Sequence, residues 1–355
     1  MWKHRQLKWI AFFLCFFMVS GAWAKPHWVQ ADAPESYTVR KGDTLWDIAG
    51  RFLHEPWRWP QIWSNNPEIK NPDLIYPGDI IYLRYDAHGN PRLHVERGKK
   101  AYWEKGQKVI KLSPKIRKEP AEGAIPIVPM SVIAPFFNRS QVITEEGVKK
   151  APKIVALDED HLLVGAGDRI YAAGLLMPPD LSLYTVFRVD KTYQDPKTKK
   201  ILGVEALNLG KAQLEQPGNP ALLILRQSNY EIRIGDKLMP PMAEEVDAYF
   251  TPKYPFGNPS GQIISVFGGL SQIGQYEVVV ITGGADQQRA SGDVLGVYQN
   301  QKDLPSRLKG EHQKYDFPAL KVARMLVFRV FDEVSYALVM SATRPIYLYD
   351  NVGEP

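Results

Sequence analysis

The chain has 355 residues, 23% of them charged and 45% hydrophobic, and 44 Lys and Arg stand against 39 Asp and Glu. Three of those bases, Lys3, Arg5 and Lys8, crowd the N-terminus, so the remainder is close to neutral and whole-protein binding to nucleic acid gains no support. The length accommodates two or three domains, and a lone cysteine excludes a disulfide framework.

Behind the N-terminal bases, an apolar run from Trp9 to Val19 leads to Ala22-Trp23-Ala24. This pattern predicts a cleaved secretory signal peptide over residues 1–24. The run is shorter than the roughly 18 apolar residues that a membrane helix needs. Cys15 lies inside it, without the small flanking residue of a lipoprotein site, so the mature chain is expected to carry no thiol nucleophile. Export of such a chain fits the periplasm, where disulfides are permitted but not required.

The first predicted strand is Tyr37-Thr38-Val39-Arg40, followed by a turn at Lys41-Gly42-Asp43. Thr44 reads as a helix cap, with Asp47 three residues on, and Leu45, Ile48, Ala49 and Phe52 recur at the spacing of one helical face. A second helix is expected from about Pro60, burying Trp59, Ile62 and Trp63 and stopped by Asn65-Asn66-Pro67. Tyr76-Pro77-Gly78-Asp79 suits a type II turn into a closing strand, Ile80-Ile81-Tyr82-Leu83, which would pair with the first. All nine tryptophans lie at or before Trp103, as expected where large aromatics supply the core of a small unit.

From Tyr37 to Arg84 these residues resemble the LysM domain over its whole length. The resemblance implies binding to the N-acetylglucosamine-containing glycan of peptidoglycan. It also implies a groove built by Gly42, Asp43, Thr44 and Leu45 on one side and Asp73, Leu74, Ile75, Tyr76 and Pro77 on the other. Asp43, Asp73 and Tyr76 are the stronger contact candidates, since Gly42 serves a turn, Leu45 suits a core and Thr44 a cap. The insert Leu53-His54-Glu55-Pro56-Trp57-Arg58-Trp59-Pro60 departs from short LysM domains and enlarges the core or reshapes the groove's rim.

Residues 85–152 read as a basic, proline-containing linker with short strands; between Arg97 and Lys118 there are nine Lys and Arg and one Glu. That stretch is either a solvated hairpin or a contact for anions. Ser131 is placed to cap a short helix through Val132, Ile133, Phe136 and Phe137, broken at Pro135.

Beyond Lys153 short apolar strands alternate with Gly, Pro, Asn and Asp. They are expected at His161 to Val164, Arg169 to Ala173, Thr185 to Val189, Leu222 to Leu225, Glu277 to Thr282, Val294 to Tyr298, Met325 to Phe331 and Tyr336 to Met340. A proline-rich boundary from Pro240 to Pro259 divides them into β-rich modules at 153–240 and 260–355. A weak repeat aligns Gly167-Asp168 with Gly292-Asp293, Phe187-Arg188-Val189 with Phe328-Arg329-Val330, and Leu223 to Asp236 with Ala337 to Asp350; duplication and a shared turn chemistry both account for it. The expected fold class is therefore multidomain, a small α+β unit of strand-helix-helix-strand followed by two mostly-β modules.

A catalytic constellation is not found in the sequence. The mature histidines His27, His54, His88, His94, His161 and His312 are scattered, without the spacing of a zinc peptidase, so no metal and no cofactor are expected. Glu55 beside Trp57 is the one conspicuous carboxylate, and no nucleophile-elbow or dinucleotide fingerprint is present. The order of LysM segment, basic Lys-Leu-Ser-Pro, Gly-Ala-Gly-Asp-Arg-Ile-Tyr and Gly-Asp-Val-Leu resembles the secretin-associated proteins of type IV pilus systems. That resemblance implies a non-catalytic periplasmic protein near the outer membrane, holding a secretin through its C-terminal β modules. A ring-shaped partner implies several copies around it. A divergent wall hydrolase and a flagellar or envelope scaffold are the other readings.

Overall fold

The computed structural model describes residues 28–63, 75–96, 127–158, 162–175, 182–241, 251–267, 272–300 and 318–355. The expected signal peptide, the basic stretch at 97–118 and Asn65-Asn66-Pro67 lie outside them. The N-terminal unit runs β1 (Ser36–Thr38), α1 (Leu45–Phe52), a 3-10 turn at Pro56–Arg58, α2 (Trp59–Trp63) and β2 (Ile80–Tyr85). β1 and β2 are antiparallel, with Tyr37 opposite Ile81. α1 buries Leu45, Trp46, Ile48, Ala49 and Phe52, the face its periodicity marks. Trp57 and Trp59 of the insert are buried too, as is Trp63 beyond it, so the insert enlarges the core.

A third strand, β3 (Pro91–Glu96), extends this sheet in the order β1-β2-β3, within residues read from sequence as the start of a linker. The Asp86 carboxylate closes the β2–β3 hairpin by accepting the N–H groups of His88 and Asn90, both at 2.9 Å. Leu93 and Val95 then fall on the buried face, and Pro91 opens the strand, where a missing N–H is tolerated.

α3 (Met130–Arg139) is longer than predicted: its N-cap is Pro129 and it continues through Pro135. Pro135 is exposed, so the interruption of the helical bonding faces solvent, and Ser131 lies within the first turn instead of capping it. β4 (Ser140–Ile143) and α4 (Glu145–Lys150) follow.

The remaining strands form two rings. The first contains β5 (Lys153–Leu157), β6 (Arg169–Ala173), β7 (Leu183–Gln194), β8 (Ile201–Gln216), β9 (Ala221–Ser228) and β10 (Lys237–Met239). Its sheet order is β4-β8-β7-β10-β5-β6-β9, and an added β8–β9 pairing closes the ring with β4 outside it. The second contains β11 (Gly261–Val266), β12 (Val278–Thr282), β13 (Val294–Gln299), β14 (Leu320–Val330), β15 (Val334–Ala342) and β16 (Asn351–Gly353), closed as β11-β12-β15-β14-β13-β16. Matching β5 to β11 and onward in chain order makes every ring pairing identical. Of the expected strands, His161 to Val164 is the exception: Leu162 and Leu163 lie in bends and only Val164 forms a bridge, with Ile232; His161 is outside the described residues.

The shared topology corrects the repeat. Leu223 to Asp236 does overlie Ala337 to Asp350, since the Val164–Ile232 bridge has its counterpart in Ile273–Ile346. Gly167-Asp168, however, matches Tyr276-Glu277: the Gly167 N–H bonds the Leu225 carbonyl as the Tyr276 N–H bonds that of Val339. Phe187 is on β7 and Phe328 on β14, which is the counterpart of β8. The misalignment has a local cause. Asp43, Asp79, Asp168, Asp236, Asp293 and Asp350 each accept the N–H three residues upstream, so one turn chemistry recurs at many strand entries.

Each ring encloses its own apolar core, around Ile154, Ile170 and Leu223 in the first and Val279, Ile281 and Val339 in the second. A third cluster joins the outer face of the second barrel to the N-terminal unit, α3 and the β7–β8 hairpin, uniting Val278, Val280, Leu326 and Phe328 with Trp46, Phe52, Ile133 and Tyr193. β12 and β15 are thus covered on both faces, which explains their unbroken apolar runs.

Two glycines separate backbone strain from crowding. Gly167 has φ of 100° with nothing within 4 Å of an added Cβ, so Gly167→Ala is expected to cost about 1–2 kcal/mol from the left-handed backbone alone. A Cβ on Gly284 would lie 2.1 Å from the Phe331 carbonyl oxygen, so Gly284→Ala should destabilise more. Thermal unfolding of the two variants checks the order.

Candidate functional site

The groove residues predicted from the sequence sit on two loops that the backbone laces together. Gly78 N–H donates to the Val39 carbonyl at 2.9 Å, and Val39 N–H donates to the Asp79 carbonyl at 2.9 Å. These bonds hold the β1–α1 turn, Gly42 to Leu45, against the approach to β2, Ile75 to Pro77. Asp73 and Leu74 lie outside the described residues.

The turn before α1 is fixed by Asp43, whose Oδ2 accepts the Arg40 N–H at 2.8 Å and the Tyr37 hydroxyl at 2.9 Å. Gly42 has φ of 92°, the conformation that glycine adopts without penalty. Both bonds fall on one oxygen, so among the described residues Asp43 Oδ1 is left as an acceptor on a half-buried side chain. Arg51 stacks 4.4 Å from the Tyr37 ring centroid and holds the ring that orients Asp43. Burial, and then the bond to Asp43, raise the Tyr37 pKa, keeping its hydroxyl a donor.

Thr44 and Leu45 are placed differently from glycan-facing side chains. Thr44 is 4% exposed and its hydroxyl oxygen accepts the Asp47 N–H at 3.1 Å, the cap read from the sequence. The same hydroxyl donates to Asp47 Oδ2 at 2.6 Å. Leu45 is 1% exposed and can reach a ligand only through its backbone N–H, a first-turn group with no helical partner. The next such group, Trp46 N–H, is taken by the Ile127 carbonyl at 3.2 Å.

Across the groove, Ile75 is fully buried, whereas Tyr76 and Pro77 are half-buried. Tyr76 N–H donates to Asp79 Oδ2 at 3.0 Å and Asp79 N–H to the Tyr76 carbonyl at 3.0 Å, with Gly78 at φ of 96°, as a type II turn requires. Among the described residues the reachable surface is therefore Gly42, Asp43 with its second carboxylate oxygen, Tyr76 and Pro77. It offers hydrogen-bonding groups beside apolar area, the combination that suits a sugar ring with its acetamido group.

Residues far away in sequence complete the unit. The Tyr276 hydroxyl, from the turn before β12, donates to Asp47 Oδ1 at 2.9 Å, and its pKa is pushed up to about 12 by burial and by Asp47. Arg324 of β14 stacks 4.9 Å from the Trp57 ring centroid. Nothing local in the sequence signals these partners. Glu55, the conspicuous carboxylate, is ion-paired with Arg58, and among the described residues no three His, Cys, Asp or Glu side chains gather as metal ligands.

Residues 37–84 match the LysM domain family. An alignment of 61 residues is 56% identical to the uncharacterised protein YqbP of Bacillus subtilis (strain 168), covering 14% of this chain and 28% of that relative's length. LysM is a binding domain for the N-acetylglucosamine glycan of peptidoglycan and associates its carriers with the cell wall. The chain thus consists of an N-terminal LysM domain followed by mostly-β modules.

Proposed function

We propose that the protein is a non-catalytic periplasmic anchor, exported by its signal peptide, that grips peptidoglycan through the LysM groove and holds an outer-membrane secretin of a type IV pilus system through its β-barrels. The supporting observation is mechanical coupling. The LysM domain is seated on the second barrel by the Tyr276–Asp47 hydrogen bond, the Arg324–Trp57 stack and a shared apolar cluster. A pull on the barrels then reaches the wall without first extending a tether. In the groove, Asp43 and Tyr76 supply side-chain contacts, Leu45 its backbone N–H, and Gly42 and Pro77 shape the floor. The LysM resemblance adds Asp73 and Leu74 as further candidate contacts.

The full mature chain is expected to co-sediment with purified sacculi without clearing them. Asp43→Ala should weaken sedimentation about tenfold, the loss of one hydrogen bond to a polar ligand together with a loosened turn. Clearing of the suspension would support a divergent hydrolase instead. Capture of flagellar ring components by the full chain, with no secretin, would support the scaffold reading.

A further inference from the structure

The two barrels have the same strand pairings, so equivalent positions can be compared directly, and they differ where the second barrel meets the LysM domain. At the turn before β6 the first barrel places Gly167 at φ of 100°; at the equivalent turn the second places Tyr276 at φ of 65°. A non-glycine residue pays roughly 1–2 kcal/mol for that conformation, and here the retained side chain is the one that reaches Asp47.

The residues on either side of Tyr276 border an open depression of about 470 Å³, lined by Gln272, Gly274, Gln275, Glu277, Thr343 and Arg344 among others. Glu277 Oε2 is engaged by the Gly274 N–H at 2.7 Å, and Gln275 donates to the Met340 carbonyl at 3.1 Å. Arg344 is exposed and makes no ion pair among the described residues. At the equivalent positions the first barrel has Leu163 for Gln272, Ala166 for Gln275 and Tyr230 for Arg344. The amide-rich lining, with its one arginine and one glutamate, therefore does not follow from the fold. It belongs to the copy joined to α1, on the turn whose Tyr276 reaches Asp47 of that helix.

We propose that this depression is a second subsite that receives the stem peptide of peptidoglycan, with Arg344 pairing a peptide carboxylate and Gln272 and Gln275 meeting peptide amides. The inference rests on the reading that the LysM groove holds the glycan, because the peptide hangs from the same polymer. Arginine suits the role through its fixed fork of donors to a carboxylate.

Isothermal titration of the full mature chain with an N-acetylglucosamine oligomer and with a muropeptide of equal sugar length tests it. The muropeptide should bind about tenfold more tightly, equivalent to about 1.4 kcal/mol. Arg344→Ala should abolish that difference while leaving the oligomer affinity unchanged, and Tyr230→Ala in the first barrel should change neither. Equal affinities for the two ligands, or an Arg344→Ala variant that keeps the preference or weakens both alike, would overturn the peptide subsite and leave the glycan groove standing. Absence of oligomer binding would instead overturn the groove reading and this inference with it.

Discussion

Arg329→Ala is expected to destabilise the protein by about 3–5 kcal/mol, since three carbonyls lose a charged donor whose hydrogen bonds are worth about 1.5–3 kcal/mol each before water replaces part of them. Arg329 projects from β14, and its Nη1 donates to the carbonyls of Phe136, Phe137 and Ser140 at 2.8, 3.1 and 2.7 Å. These are at the C-terminal end of α3, where carbonyls lack helical partners and the helix dipole favours a cation. The guanidinium also stacks 5.0 Å from the Phe331 ring centroid. Burial lowers its pKa, yet an arginine remains charged at any physiological pH. Alanine would strand the three carbonyls and open a gap between α3 and the second barrel. Since every tryptophan lies at or before Trp103, tryptophan fluorescence in urea reports the N-terminal unit. Its transition should move to lower urea and separate from the loss of far-ultraviolet β signal. A shift worth under about 1 kcal/mol would mean that water replaces the arginine at those carbonyls.

The elements of the LysM domain were legible because their signals are local. The Thr44 cap, the helical face through Phe52 and the turn at Tyr76–Asp79 each depend on residues within a few positions. β3 was not, because Asp86-Ala87-His88-Gly89-Asn90-Pro91 has the composition of a linker and only pairing with β2 makes it a hairpin. The repeated topology was half legible. The gapless match over β9 and β15 survives, whereas the Gly-Asp match failed because that dipeptide reports a turn type and not a position in the ring.

The site divides along the same line. Gly42, Asp43, Tyr76 and Pro77 of the expected groove are reachable, while Thr44 and Leu45 turn their side chains inward. Their identities fit a cap and a core face as well as a groove, and only the packing decides between these roles. Tyr276 could not have been found: its partner Asp47 is 229 positions away, and in sequence it resembles any tyrosine in a polar turn. Its backbone conformation is the signal, and that appears only once the first barrel supplies a glycine for comparison.

Phe52→Ala should remove wall binding altogether. Phe52 is fully buried at the end of α1, and truncating a core phenylalanine costs about 3–5 kcal/mol. A single core of this size seldom supplies more than about 3–5 kcal/mol, so the substitution consumes the stability of the domain. Asp43 and Tyr76 would then lose their fixed separation, because the loops that carry them are held together by β1, β2 and α1. The two barrels keep their own interior cores and should stay folded. Their outer face should not stay covered, since Val278, Val280, Leu326 and Phe328 share one cluster with Trp46 and Phe52. The variant is therefore expected to bind a hydrophobic dye and to self-associate while retaining its β signal. Co-sedimentation with sacculi, read alongside dye fluorescence, separates the outcomes. Lost sedimentation with dye binding places the wall contact in the LysM groove and its stability partly in the barrel beneath. Sedimentation at the wild-type level with the domain unfolded would mean that another part of the chain holds the wall.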